Sequence, residues 1–266
     1  MRIFEIPEGS KTSKGRAIQN LINIEQDDKV KAFINTQDLK DTEYVNSHFV
    51  VMATKKGQIK KTCLEKYSRP RINGINAITI KENDELLEAK LTNGNSEILM
   101  AVKSGKAIRF EESKTRPMGR SASGVRGIKL KDDNDKVIGM VSVNDISTDI
   151  LVVSKNGYGK RSSLEDYRIT NRGGKGVKTI SITEKTGSLV SIKNVSDEND
   201  LMIINKSGIA IRMSVEKLRV MGRATQGVKV ISIKDGDGIA AVAKVMNDEE
   251  EIEDINDIEF TGDTIK

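Results

Sequence analysis

Apolar residues along this chain fall into short blocks, not long faces. Ile98-Leu99-Met100-Ala101-Val102, Ile150-Leu151-Val152-Val153 and Leu201-Met202-Ile203-Ile204 are continuous apolar runs, the pattern of strands buried on both faces. Each leads into a glycine turn. Ser104-Gly105 and Asn156-Gly157 are hairpin signals, because glycine supplies the positive φ that tight turns require. Segments of the form Gly-Val-Lys-x-Ile-x-Ile follow and alternate apolar with polar at period two, as in a strand with one buried face. A further strand comes after each, such as Lys136-Val137-Ile138-Gly139-Met140-Val141-Ser142-Val143.

These blocks repeat. Met52-Ala53-Thr54-Lys55-Lys56-Gly57, Ala101-Val102-Lys103-Ser104-Gly105, Val152-Val153-Ser154-Lys155-Asn156-Gly157 and Ile203-Ile204-Asn205-Lys206-Ser207-Gly208 are copies of one element, with glycines 48, 52 and 51 residues apart. A second element opens at Gly74, Gly124, Gly176 and Gly227, 17 or 19 residues after each turn glycine, with a looser fifth copy from Gly15 to Leu21. Four strands per ~50 residues is blade periodicity. The fold class expected is therefore all-β, a β-propeller-like array of about five to six four-stranded blades, with the first one incomplete. Residues 163–167 and 214–218 have room for one helical turn each. Residues 35–47 read as an insertion between strands, which accounts for the 59-residue step from Gly15 to Gly74.

Composition agrees with many small packing units. Aromatic residues make up 3% of the chain and Trp is absent, which does not suit one thick core. Cys63 and His48 are the only residues of their kinds. No disulfide framework or Cys/His metal cluster is expected from them. No window approaches the ~18 apolar residues of a membrane span, and no signal-peptide core is present. A cytoplasmic location is the expectation, with no membrane partner.

The net charge of +5 is unevenly spread. Residues 247–266 hold nine acids and one Lys, a net −8, so residues 1–246 carry +13. The chain divides accordingly into a basic repeat domain, 1–246, and an acidic tail, 247–266, expected to be disordered. A basic body points to a polyanionic partner. The tail either competes for the same surface or only solubilises the chain.

The basic residues recur at fixed places. Lys60, Lys61, Arg109, Lys160, Arg161 and Arg212 follow the turns, and Arg116, Arg168 and Arg219 lie eleven residues after the turn glycine. Connecting segments add Arg69, Arg71, Arg120, Arg126, Arg172, Lys175, Lys178, Arg223 and Lys229. Repetition would set equivalent positions at one height on successive blades, as a belt around the rim. Lys and Arg without interleaved aromatics suit duplex phosphates better than stacked single strands. With no long helix to enter a major groove, DNA bending and phosphate neutralisation are the expected mode.

The runs Lys155-Asn156-Gly157-Tyr158-Gly159-Lys160-Arg161, Met118-Gly119-Arg120-Ser121-Ala122-Ser123-Gly124-Val125-Arg126-Gly127-Ile128 and Val220-Met221-Gly222-Arg223-Ala224-Thr225-Gln226-Gly227-Val228 resemble repeats of the C-terminal domain of bacterial DNA gyrase A. The resemblance covers residues 1–246. It implies a six-bladed β-pinwheel, in which neighbouring blades exchange strands, and double-stranded DNA wrapped on the basic perimeter. It implies as partners gyrase B and the N-terminal domain of gyrase A, in an A2B2 enzyme that supercoils DNA negatively with ATP and Mg2+ bound elsewhere. This chain itself is expected to hold no cofactor, to cut no DNA and to be monomeric when isolated, in a bacterial, nucleoid-associated setting. Tyr44, Tyr67, Tyr158 and Tyr167 match no catalytic motif of the family. The family's Arg/Gly-rich box is absent from its usual place. Asn171-Arg172-Gly173-Gly174-Lys175-Gly176 resembles it in a later repeat, where the glycines serve either approach of amides to a phosphate or a tight loop.

Two rival readings are the C-terminal domain of the gyrase A counterpart in topoisomerase IV, which shares the blade, and a protein-binding propeller scaffold, which would need an uncharged or apolar rim.

Overall fold

The structure, a computed structural model, describes residues 5–246 except 11–12, 15, 23, 25–27, 72 and 235. The acidic tail and Gly15 lie outside the described residues. One repeat supplies β1 (Phe49–Thr54), β2 (Gln58–Cys63) and β3 (Leu86–Thr92). The next supplies β4 (Glu97–Val102), β5 (Lys106–Glu111), β6 (Val125–Arg126) and β7 (Val137–Val143). Then come β8 (Asp149–Ser154), β9 (Tyr158–Ser163), β10 (Val177–Lys178) and β11 (Leu189–Val195). The last gives β12 (Asn199–Asn205), β13 (Ala210–Ser214), β14 (Val228–Lys229) and β15 (Ile239–Met246).

The sheets do not follow those chain units. Their orders are β3-β1-β2-β6, β10-β5-β4-β7, β11-β8-β9-β14 and β13-β12-β15. Each two-residue strand belongs to one repeat and pairs with the hairpin of the repeat before it, as in Ile59↔Val125, Ala107↔Val177 and Gly159↔Val228. Strands β3, β7, β11 and β15 contact one another in succession. They form the inner side of the array, and the exchanged strands form its rim.

The apolar runs of β1, β4 and β8 are continuous because those sheets face a core on both sides. In β12 Leu201 and Ile203 are buried but Ile204 is 37% exposed, so the run 201–204, expected to be buried on both faces, is buried on one. Met100 packs with Val51, Ala53 and Ile59 of the preceding sheet. Leu99 and Ala101 point the other way, to Ile150 and Val152 of the following sheet. Leu151 and Val153 do the same toward Leu201 and Ile203. Small sheets stacked in this way replace one thick core, which is why the chain folds with so few aromatics.

Several local expectations change. Only two residues of the segments opening at Gly124, Gly176 and Gly227 join a ladder, because the carbonyl of the turn glycine takes the next amides, and the copy at Gly74 forms no strand. Gly57 O accepts from the N–H of Gly127 at 2.8 Å, Gly105 O from Thr179 at 2.9 Å and Gly157 O from Val230 at 2.8 Å. Ile128 and Ile180 are thereby tucked under the turns, each 1% exposed. Residues 163–167 form a 3-10 turn at Leu164–Asp166, whereas 214–218 are not helical. The insertion contains a helix, α1 (Thr42–Ser47), started by Asp41, whose carboxylate accepts from the amides of Glu43 and Tyr44. The fifth copy contributes a 3-10 turn at Ile18–Asn20 and no strand among the described residues.

Candidate nucleic-acid interface

The rim is built by the segments that cross between repeats. After β5, β9 and β13 the chain runs beside the previous hairpin, making single parallel bridges Lys61↔Pro117, Arg109↔Ile169 and Arg161↔Val220. The amides of Met118, Thr170 and Met221 donate to the carbonyls of Lys61, Arg109 and Arg161 at 2.8, 2.9 and 2.9 Å. The chain then reverses into β6, β10 and β14. At the reversal Gly124, Gly176 and Gly227 have φ of 86°, 69° and 79°. A Cβ there would lie 2.5, 2.4 and 2.5 Å from the carbonyls of Ile59, Ala107 and Gly159. Glycine is required twice over, for its φ and for the close approach of two backbones.

This outermost layer carries exposed cations at two repeated positions. Arg116, Arg168 and Arg219 enter each crossing, and Arg126, Lys178 and Lys229 stand on the exchanged strands. All six are exposed, as are Lys175, Arg69 and Arg71. Arg120 is half-buried. Arg172 and Arg223, also half-buried, act as braces. Arg172 donates to the carbonyls of Lys114 and Arg126 at 2.9 and 3.1 Å, and Arg223 to those of Asp166 and Lys178 at 2.9 and 2.7 Å. Each ties its crossing to the repeat before.

Of the cations after the turns, expected on the rim, Lys60, Lys61, Arg109 and Lys160 are buried and Arg161 is half-buried, whereas Arg212 is exposed. Lys61, Arg109, Arg161 and Arg212 all stand four residues beyond a turn glycine, and each is held by the fold. Lys61 is paired with buried Glu112 at 2.9 Å, and Arg109 with Glu97 at 2.5 Å. Arg109 also donates to the carbonyls of Leu164 and Tyr167 at 2.7 and 2.9 Å. Arg161 bonds Asp197 and lies 3.7 Å from Asp149. Arg212 is exposed but bonded to Asp200 at 2.5 Å. Lys60 and Lys160 are fully enclosed, both 0% exposed. Lys60 donates to the carbonyls of Ala77, at 2.5 Å, and Arg120, and Lys160 to the carbonyl of Gly222 at 2.6 Å and the hydroxyl of Thr225 at 3.1 Å. Burial pushes both ammonium groups down to about 8, with Arg120 adding to the effect at Lys60. A side chain enclosed in this way cannot reach a phosphate on the surface.

The box-like loop of residues 171–176 is tied to the preceding repeat by two backbone hydrogen bonds. Gly173 N–H donates to Gly127 O at 2.6 Å, and Gly174 O accepts from Lys129 N–H at 2.8 Å. Lys175 stays exposed beside a depression of about 340 Å3 that Arg168 and Asn171 also line. The lysines two residues before the turn glycines were visible only as part of the Lys-x-Gly pattern. Lys103, Lys155 and Lys206 are exposed at the hairpin tips. Among the described residues there is no group of three or more His, Cys, Asp or Glu that could hold a metal, and no helix long and apolar enough to cross a membrane.

The family described as DNA gyrase C-terminal domain, beta-propeller, matches residues 1–37, 48–93, 96–144, 148–196 and 199–246. These matches follow the repeats one by one. The DNA gyrase A protein of Staphylococcus epidermidis is 43% identical over 249 residues, covering 93% of this chain and 27% of that protein. The Staphylococcus aureus protein is likewise 43% identical, with 93% of this chain and 28% of that protein covered. The chain thus spans little more than a quarter of these relatives. A solved DNA gyrase A C-terminal domain superposes with a TM-score of 0.76 at 25% identity, over 88% of this chain and 76% of that one. A topoisomerase IV C-terminal domain superposes at 0.80 with 22% identity, over 88% and 71%, a likeness of fold alone.

Proposed function

The chain belongs to the DNA gyrase C-terminal domain family, and from that premise we propose that its outer rim binds duplex DNA by its phosphates and curves it around the array. One observation carries the reading: exposed cations stand at two equivalent positions on three successive crossing segments. Neutralisation of phosphates releases counterions and is indifferent to sequence, while the bend gives a preference for deformable steps. The one α-helix among the described residues is six residues long, too short to read a major groove in the usual manner. The contact set is Arg69, Arg71, Arg116, Arg120, Arg126, Arg168, Lys175, Lys178, Arg219 and Lys229, with the exposed lysines of the hairpin tips beside them.

Within a complete gyrase the wrap on residues 1–246 presents a DNA segment for strand passage, in company with gyrase B and the N-terminal domain of gyrase A. ATP and Mg2+ act there and not in this domain, which works as a monomeric unit on DNA in the bacterial cytoplasm and nucleoid. The acidic residues of 247–266, net −8, compete with DNA for the rim. Identity of 43% to staphylococcal gyrase A favours gyrase over topoisomerase IV. The basic rim disfavours a protein-binding scaffold.

The test is ligation of nicked circular DNA with increasing protein at low and moderate salt, with linking number read on a gel. A positive shift that fades with salt is expected. Binding without a shift would reduce the reading to duplex binding, and no binding at either salt would overturn it.

A further inference from the structure

The crossing segments carry a second repeated feature. Directly after Arg116, Arg168 and Arg219 come Pro117, Ile169 and Val220, and all three are exposed. Ile169 is 49% and Val220 50% exposed. None of the three joins the buried apolar clusters. A single exposed Ile or Val needs no explanation. An apolar residue at the same place in three successive repeats, on the most basic layer of the molecule, does.

Their backbone is fixed. Each makes the parallel bridge to the preceding hairpin, and the next amide is bonded to that hairpin's carbonyl at 2.8 or 2.9 Å. The apolar side chains are thus held on rigid edges at one place per blade, each preceded by an exposed arginine. The surface that offers phosphates beside apolar ground is the minor groove of duplex DNA, where the walls are deoxyribose C–H groups. Proteins that bend DNA from that side press apolar residues, Pro and Ile among them, into the groove or between base steps.

We propose that Pro117, Ile169 and Val220 form a row of apolar teeth that pack into the minor groove of the DNA held on the rim, setting where it bends. The inference rests on the DNA-binding reading above and adds a contact that charge alone does not supply. The arginines hold phosphates, and the teeth convert binding into curvature. Because the teeth are uncharged, they contribute nothing to counterion release.

The experiment compares the whole chain with Ile169→Thr/Val220→Thr and with Ile169→Val/Val220→Ile. Threonine keeps the β-branched shape at an exposed site, and thermal melts verify that both variants fold. Duplex affinity is measured across a salt series, and linking number is measured by nicked-circle ligation. Removing the newly buried apolar area of two half-exposed side chains predicts roughly tenfold weaker binding. The salt slope should be unchanged and the linking shift smaller, and the Val/Ile exchange should restore both. Equal affinity and equal linking shift for the threonine variant, with the parent chain binding normally, would overturn the teeth and leave the rim intact. A parent chain that fails to bind duplex at low salt would overturn the rim and the teeth together. A melt lowered in the threonine variant and recovered by Val/Ile, with affinity per folded molecule unchanged, would mark these residues as structural and also sink the proposal.

Discussion

The ammonium group of Lys61 sits 4.2 Å from the centre of the Phe49 ring. Phe49 stands eight residues before its turn glycine, where Glu97, Asp149 and Asp200 stand before theirs. Those acids face Arg109, Arg161 and Arg212 within their own sheets. The first hairpin thus replaces an ion pair by a cation–π contact, and the missing negative charge comes from Glu112 of the next repeat, 2.9 Å away and 1% exposed.

Glu112→Gln should therefore be severe. It leaves a buried ammonium without its counter-charge, which costs about 3–5 kcal/mol. It also weakens the acceptor for Thr92 and the Ser96 amide. Phe49→Leu, which removes only the ring face, should cost about 0.5–2 kcal/mol from the cation–π contact. Urea midpoints of the two variants check the order, and a Glu112→Gln protein as stable as its parent would show that Lys61 relaxes to solvent.

Lys60 and Lys160 predict a rise of stability with pH. Burial holds both near 8 in the fold, against an ordinary value of 10.5. Between those values the unfolded chain binds more protons than the folded one, so folding gains as pH rises through the window. Below about pH 8 both states are protonated and the slope vanishes. Ile108 and Ile211 occupy the same place in the other two hairpins, which makes Lys60→Ile/Lys160→Ile the natural comparison. The Tm of the parent relative to this variant should climb from pH 8 to pH 10. Parallel curves would mean the two ammonium groups are solvated.

The repeat, the hairpin turns and the strands buried on both faces at 98–102 and 150–153 were legible because each is a local pattern of glycine and apolar residues. The run 201–204 reads the same but ends the stack, so its second face has no following sheet and Ile204 is exposed. The fate of the cations was not. Lys61, Arg109 and Arg161 read like Arg116 or Lys178, and what separates them is the acid or carbonyl facing each one. Glu112 and the carbonyls of Leu164 and Tyr167 reach the preceding hairpin only through stacking of one repeat on the next. Lys60 and Lys160 are enclosed by the crossing segment of the following repeat. No local pattern encodes that enclosure. The crossing glycines, by contrast, were visible, but as strand starts and not as points where two backbones meet.

Those glycines separate conformational strain from contact. Gly176 and Gly74 share a positive φ, 69° and 75°. A Cβ on Gly176 would collide with Ala107 O at 2.4 Å, whereas nothing lies within 4 Å of one on Gly74. Gly74→Ala should cost only the left-handed backbone penalty of about 1–2 kcal/mol. Gly176→Ala adds displacement of β10 from β5 and should cost more than that. Amide exchange should accelerate at Val177 and Lys178 in Gly176→Ala and be unchanged there in Gly74→Ala. Equal losses in the two proteins would mean that the crossing shifts without leaving its neighbour.

Charge at the rim and charge in the interior should separate in a salt series. If Arg116, Arg168 and Arg219 each neutralise one phosphate, replacing all three with Gln removes three contacts. Each contact contributes about 0.9 to the slope of log K against log salt, so the slope should flatten by roughly 2.7 with little change in Tm. Arg109→Gln should behave in the opposite way. It leaves Glu97 and the carbonyls of Leu164 and Tyr167 without their partner, so Tm falls while the folded protein keeps its salt slope. A triple variant whose slope equals the parent's would remove these arginines from the DNA path and move it toward Lys103, Lys155 and Lys206 at the hairpin tips.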